Sequence, residues 1–167
     1  MPSSSSVSSL SSESSARRSM RVYTREHDPV TGDIVGPDIS SVFWGEVALG
    51  QKSVLKVVTM RAEGASRIAN VKVGITRAET GNYSVKDVFY VAHVADISQV
   101  TEPTEAFQGI NGSEVRDSPY NFSVGTRVST DGKTVESDYV VLMAKSQQRL
   151  FKTGVCTLRW FFDFDYE

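Results

Sequence analysis

The amino-acid sequence predicts an all-β protein, an antiparallel β-sandwich with an extended N-terminal arm. Three observations lead to this prediction. Apolar and polar residues alternate over short runs, most regularly in 158–166, and a period of two is typical of half-buried strands. Glycine and aspartate turns separate about seven such runs, as expected for a sandwich. No run of ten or more residues has the apolar spacing of an amphipathic helix.

The N-terminal segment 1–24 differs in composition from the rest of the chain. Eleven of its first twenty residues are serine, and so polar a segment buries too little apolar surface to fold alone. Residues 1–25 hold four basic side chains and one acidic one, a charge of +3, so the rest of this −2 chain carries −5. The four basic residues are Arg17, Arg18, Arg21 and Arg25. We expect an arm, which could be a solvated tail, a segment ordered on a neighbouring subunit, or a plastid-type transit peptide.

Residues 25–41 are predicted to form a linker or entry loop before the folded body. Asp28-Pro29 and Gly36-Pro37 are turn-forming pairs. The aspartates of this stretch lack the spacing and the terminal glutamate of a calcium-binding EF-hand loop, so we expect no metal here. His27 is expected to lie in solvent.

The body, 42–167, is predicted to be a single β-sandwich domain. Its first hairpin spans 42–58 and turns at Gly50-Gln51. Further strands are expected in 67–76, 85–94, 136–146 and 153–167. In the last run, one face of the strand carries Leu158, Trp160, Phe162, Phe164 and Tyr166. Sandwich, jelly roll and partly open barrel share this pattern, so the strand order stays open.

The segment 43–75 resembles the start of an immunoglobulin-like domain of the ASH/MSP type. The likeness rests on Trp44-Gly45-Glu46-Val47, Gly50-Gln51-Lys52-Ser53 and Lys56-Val57-Val58. The chain has Glu63-Gly64-Ala65 where this family usually has Asn-x-Gly in a turn. The resemblance covers about a fifth of the chain and implies an Ig-like fold, not a particular function. Independently of it, Gly45 and Gly50 are expected where the backbone turns or bulges, and Trp44 is expected to anchor the core.

The sequence offers no convergent catalytic set, and we expect neither an enzyme nor a bound cofactor. His93 precedes Asp96 by three residues, which places them on opposite faces of a strand. The single cysteine, Cys156, has no partner for an internal disulfide and is expected to be buried. The spacing of a phosphate-binding loop is missing around Gly50. No apolar run approaches a membrane span, and the first residues lack the apolar core of a signal peptide, so no membrane partner is expected.

Two groups of residues are predicted to bind partners. The basic arm of a neighbouring subunit is expected to dock on the acidic positions Asp163 and Asp165, which also make the final strand unsuited to nucleic acid. The long segment 95–125 is expected to expose aromatic residues, namely Phe107, Tyr120 and Phe122.

An unstructured arm on a small all-β body is the architecture of an assembly protein. It is similar to virion structural proteins of tailed bacteriophages, such as capsid decoration, neck, tail and baseplate components. The predicted function is therefore structural assembly in a virion, through contacts with copies of itself and other structural proteins. The alternative is a stand-alone Ig-like adaptor, in the cytoplasm, that recognises a protein or a glycan.

Overall fold

The computed structural model describes residues 3–5, 19–80, 89–107, 115–119, 121–145 and 151–167. Eleven β-strands and one short 3₁₀ helix lie in these ranges. The strands are β1 (Ser3–Ser5), β2 (Arg21–His27), β3 (Ser41–Val47), β4 (Lys56–Glu63), β5 (Ala65–Thr80), β6 (Phe89–Val94), β7 (Glu105–Ala106), β8 (Phe122–Val128), β9 (Thr134–Glu136), β10 (Tyr139–Ala144) and β11 (Phe151–Tyr166). The 3₁₀ helix spans Ile97–Gln99.

The strands form two antiparallel sheets that pack together as a sandwich. Sheet A has the order β1-β11-β5-β8, with β3 also pairing with β11. Sheet B has the order β2-β4-β10-β6-β7, with β9 also pairing with β4. The predicted all-β sandwich is therefore confirmed. The predicted hairpin over 42–58 was wrong, because the chain crosses from β3 in sheet A to β4 in sheet B after the turn at Gly50. The described part of the chain holds more strands than the seven predicted, and β5 and β11 are each 16 residues long.

The core lies between the two sheets. The apolar face that the sequence predicted for the final strand, β11, packs in this core. Trp160, Phe162 and Phe164 of β11 are at most 1% exposed, and each such burial stabilises the fold by roughly 1.5–3 kcal/mol. Trp44 stacks on Phe89 across the sandwich, with ring centroids 5.1 Å apart. The role predicted for Trp44 as a core anchor is thus confirmed.

Gly45 and Gly50 both adopt the left-handed backbone conformation, with φ of +76° at each. Gly45 lies where the register between β3 and β11 shifts, and Gly50 lies in the turn that follows β3. A side chain at either position would strain the backbone. The predicted need for backbone freedom at these two glycines is confirmed.

The strand β2 spans the boundary at 24/25 that the sequence suggested between arm and linker. Residues 21–27 pair in full with β4, from Arg21 opposite Glu63 to His27 opposite Val57. The following loop folds back along β2, because the amides of Val35 and Ile39 donate to backbone carbonyls of that strand. This loop therefore belongs to the sandwich and covers the outer edge of sheet B.

No helix in the described ranges is long and apolar enough to cross a membrane.

Candidate functional site

His27 is the buried centre of a polar network on the outer face of sheet B. It lies at the end of β2 and is 4% exposed, so the expectation of a solvated loop histidine was wrong. The loop after β2 brings the Gly32 carbonyl to 3.0 Å from Nδ1 of His27. On the other side of the ring, Nε2 lies 2.8 Å from the Thr59 hydroxyl of β4. The ring therefore ties the covering loop to the sheet.

Glu136 completes this network and joins three strands. The Thr59 hydroxyl donates to Oε2 of Glu136. Nη2 of Arg25 donates to Oε1 at 2.6 Å, and Nη1 of Arg61 donates to the same oxygen at 3.4 Å. Strand register explains the convergence, because Arg25 lies opposite Thr59 and Arg61 lies opposite Glu136. One carboxylate thus collects two guanidinium groups and a hydroxyl.

The hydrogen-bond partners place a proton on each ring nitrogen of His27. A carbonyl only accepts, so Nδ1 donates to Gly32. The Thr59 hydroxyl has one hydrogen, which goes to Glu136, so its oxygen accepts from Nε2. Burial lowers the pKa of His27, but the hydrogen bonds to Glu136 and the Gly32 carbonyl outweigh burial and raise it above 6.5. The geometry therefore supports an imidazolium beside a carboxylate.

Glu136 is held in its ionised form by the same contacts. Burial acts to raise the pKa of this carboxyl group, but hydrogen bonds from His27, Thr59 and Arg25 lower it from 4.5 to about 2. A charged carboxylate among cationic donors is the expected arrangement for a half-buried acid.

A cleft of about 470 Å³ opens beside this network, and we call it the charged cleft. Its charged lining residues are Arg25, His27, Asp33, Arg127, Glu136 and Asp138. Arg127 pairs with Asp138 at 2.5 Å, and His93 also lies 3.3 Å from that carboxylate. The walls thus offer balanced charges and hydrogen-bonding groups, which suits the binding of a polar partner.

The arginines that were predicted to bind partners make ion pairs within the chain where the structure describes them. Arg21 pairs with Asp38 at 2.5 Å and with Glu63 at 3.2 Å, and Arg25 pairs with Glu136. Arg17 and Arg18 lie outside the described residues. The partner-binding role of the four arginines stays a prediction.

The two aspartates of β11 also have partners close by in the fold. Asp163 pairs with Arg116 and accepts from Nδ2 of Asn70 at 3.0 Å. Asp165 lies 3.6 Å from Arg67. These contacts lie within one chain, so the predicted docking of Asp163 and Asp165 on the basic arm of a neighbouring subunit stays a prediction.

The predicted aromatic site is less exposed than the sequence suggested. Phe107 is 2% exposed and belongs to the core, and Phe122 is half-buried beside it with ring centroids 6.4 Å apart. Tyr120 lies outside the described residues. Phe107 and Phe122 line a cavity of about 160 Å³ together with Pro119 and Asn121. The prediction of exposed aromatics was therefore wrong for Phe107.

Exposed large apolar side chains concentrate in two short stretches of the described chain. The first is the loop after β2, with Val30, Ile34 and Val35. The second runs from β3 into the next loop, with Phe43 at 55%, Leu49 at 59% and Val54 at 65% exposure, and we call it the β3 apolar edge. Of these residues, Phe43 lies on a strand that pairs on one side with β11.

The described residues contain no group of three or more His, Cys, Asp or Glu side chains placed to hold a metal ion. Cys156 is buried in the core, and burial raises the pKa of its thiol to about 12. It is therefore unsuited to act as a nucleophile at neutral pH.

Sequence reasoning missed Thr59, Arg61 and Glu136 as members of the polar network. One signal was present for β2. In 20–27, Met20, Val22 and Thr24 alternate with larger polar residues, which is the pattern of a strand with one buried face. Because residues 20–27 were predicted to belong to the arm and the linker, the strand was not predicted.

No family model matches the sequence, and no curated protein matches it. Among solved structures, a chitosan-binding module from a chitosanase/glucanase of Paenibacillus sp. IK-5 is weakly similar. The likeness covers 72% of this chain and 92% of that chain, at 10% identity and a TM-score of 0.23. So low a TM-score carries no argument about what this chain binds.

Proposed function

We propose that this protein is a structural assembly component that packs against copies of itself and other structural proteins, as in a virion. The observation that carries the proposal is the β3 apolar edge. An exposed strand edge with outward apolar side chains is a template for pairing with another chain. The more specific relation to tailed-bacteriophage components, and the Ig-like relation of 43–75, belong to this proposal and rest on the small sandwich with its serine-rich N-terminal segment.

One edge strand of sheet B is covered by a loop, whereas within the described ranges the outer side of β3 in sheet A is not, and this difference favours β3 as the contact. The edge strand β2 of sheet B is covered by its own loop, which bridges at Thr24–Ile39 and His27–Ile34. The outer side of β3 carries no such cover among the described residues. Phe43 and Leu49 would be removed from water by a partner strand or sheet laid against it, which adds hydrophobic stabilisation to backbone pairing.

Sedimentation velocity of the full chain over a wide concentration range tests this proposal. The wild type should form larger species as concentration rises. Phe43→Lys should raise the concentration needed for assembly at least about tenfold, the equivalent of about 1.4 kcal/mol. Val30→Lys is the matched control, because Val30 is 84% exposed and lies outside the β3 apolar edge. A wild type that stays monomeric throughout would contradict the proposal.

A second candidate function is that of a binding module for a protein or a glycan, and the charged cleft favours it. The cleft presents paired charges and the Tyr139 side chain on a rigid sheet. If this function is the correct one, the protein should be monomeric and should bind a polar ligand in calorimetric titrations. Arg127→Gln should then weaken binding, whereas Phe43→Lys should leave it unchanged.

A further inference from the structure

The edge of β11 in sheet A is shared by two strands that come from distant parts of the chain. The first half of β11 pairs with β3, from Phe151 to Thr157. The second half pairs with β1, where Ser3 lies opposite Phe164 and Ser5 opposite Phe162. Both strands are antiparallel to β11, so they follow each other along one edge in the same direction. The N-terminal residues thus complete an edge that β3 leaves half covered.

The opposite side of β11 is anchored independently of β1. The strand β5 pairs with β11 from Gly154 to Tyr166, and Phe162 and Phe164 are buried in the core. The three-residue strand β1 adds only the outer row of backbone contacts. The docking edge at 162–164 therefore persists whether or not β1 occupies it.

The connection from β1 to β2 is longer than pairing within one chain requires. Thirteen residues, 6–18, join Ser5 to Ser19 and reach about 43 Å when extended. Ser19 lies against Gly64, next to the pair formed by Ala65 and Tyr166. Phe162, which lies opposite Ser5, is four residues from Tyr166 along β11, a distance of about 14 Å. The connection is thus long enough for β1 to pair within its own chain and also to reach a neighbouring copy.

We propose that β1 is an exchanged strand: in the assembly, Ser3–Ser5 of one copy pairs with Phe162–Phe164 of β11 in a second copy. This inference rests on the proposed assembly function and names its partner segment. The backbone hydrogen bonds are the same within and between chains, so exchange costs little. Arg21 and Arg25 pair within the chain, so the charge that favours contact with the acidic body of a neighbouring copy is that of Arg17 and Arg18 in the connection.

A disulfide between two differently substituted copies tests the exchange. Ser4 lies opposite Asp163, so Ser4→Cys in one copy and Asp163→Cys in another can join only if β1 crosses between copies. Tagging one copy for size lets non-reducing gels identify the mixed dimer. The native Cys156 is buried and does not compete. Exchange predicts the mixed dimer, and Val30→Cys in place of Asp163→Cys should not produce it.

A deletion in the otherwise unchanged chain supplies a second measurement. Removing residues 1–5 should weaken self-association by at least about tenfold, the equivalent of one or two backbone hydrogen bonds. The thermal midpoint of the monomer should change little. If the wild type assembles, yet the deletion assembles equally well and no mixed dimer forms, the exchange is wrong and the assembly function stands. If the wild type does not assemble at all, both fail.

Discussion

Glu136 is expected to contribute strongly to stability, because its carboxylate joins three strands and contacts His27, which holds the covering loop. Replacing it by glutamine keeps the shape and removes the charge. Lowering its pKa from 4.5 to about 2 corresponds, at about 1.4 kcal/mol per pKa unit, to roughly 3 kcal/mol. The side chain is 23% exposed, so solvent reduces this figure. We expect Glu136→Gln to lower the free energy of unfolding by about 2–3 kcal/mol near pH 6.

The stabilisation by Glu136 should decrease as the pH falls. A carboxyl group whose pKa is lower in the folded state stabilises the fold above its unfolded pKa of 4.5, and the stabilisation is lost as the pH falls toward 2. The difference between the wild type and Glu136→Gln should therefore be full above pH 5 and should shrink in acid. A chain of this length loses about 3 °C in Tm per kcal/mol, so the variant should melt roughly 6–9 °C lower.

Urea unfolding followed by the fluorescence of the two buried tryptophans measures this effect. The matched control is Glu102→Gln, which removes an exposed ion pair with Lys52 and should change stability by less than about 1 kcal/mol. Equal urea midpoints for Glu136→Gln and the wild type at pH 6 would refute the reasoning. So would a difference that persists unchanged as the pH falls below 4.5.

Three further predictions address the loop, the turn and the core. The raised pKa of His27 contributes stability that is present below pH 6.5 and is lost as the pH rises through the folded-state pKa. In a plot of Tm against pH, His27→Gln should therefore lack the fall in Tm that the wild type shows as the pH rises. An unchanged profile would contradict this prediction. Gly64→Ala should lower the urea midpoint by the equivalent of about 2 kcal/mol or more, because φ is +93° and the new methyl group would collide with the Ser19 carbonyl. Gly132→Ala, at φ +74° in open space, should lose only about 1 kcal/mol, and equal losses at both glycines would argue against the collision. The Cys156 thiol, with its pKa raised to about 12, should react with a thiol reagent only after unfolding, and fast labelling of the native protein would contradict its burial.

The fold class could be predicted because β-strand alternation is a local property of the sequence. In the run from Leu158 to Tyr166 one face carries Trp160, Phe162 and Phe164, which the structure buries, although Phe161 on the other face is also apolar and buried. Gly45 and Gly50 marked a bulge and a turn, since both positions require backbone that other residues adopt with strain. The alternation and the glycine positions depend only on residues close together in the chain, so they could be identified from composition and from the spacing of apolar residues.

The polar network could not be predicted because its members are brought together by register. Arg61 and Glu136 are 75 residues apart, and only the pairing of β4 with β9 places them side by side. The pKa of His27 likewise depends on its burial, on the Glu136 carboxylate from another strand and on the Gly32 carbonyl of the covering loop. The misreading of 21–27 as arm and linker had a different cause, since a basic face on an edge strand resembles a disordered basic segment when charge alone is read.

The measurement that tests the assembly function most directly is density-gradient sedimentation of an extract of the native source, with the protein traced by mass spectrometry. If the protein is an assembly component, it should travel with a large particle, and its copy number relative to the major protein of that particle should be constant across the peak. If it remains at the top of the gradient as a free 18.3 kDa species, the assembly function is contradicted and a binding module becomes the better account.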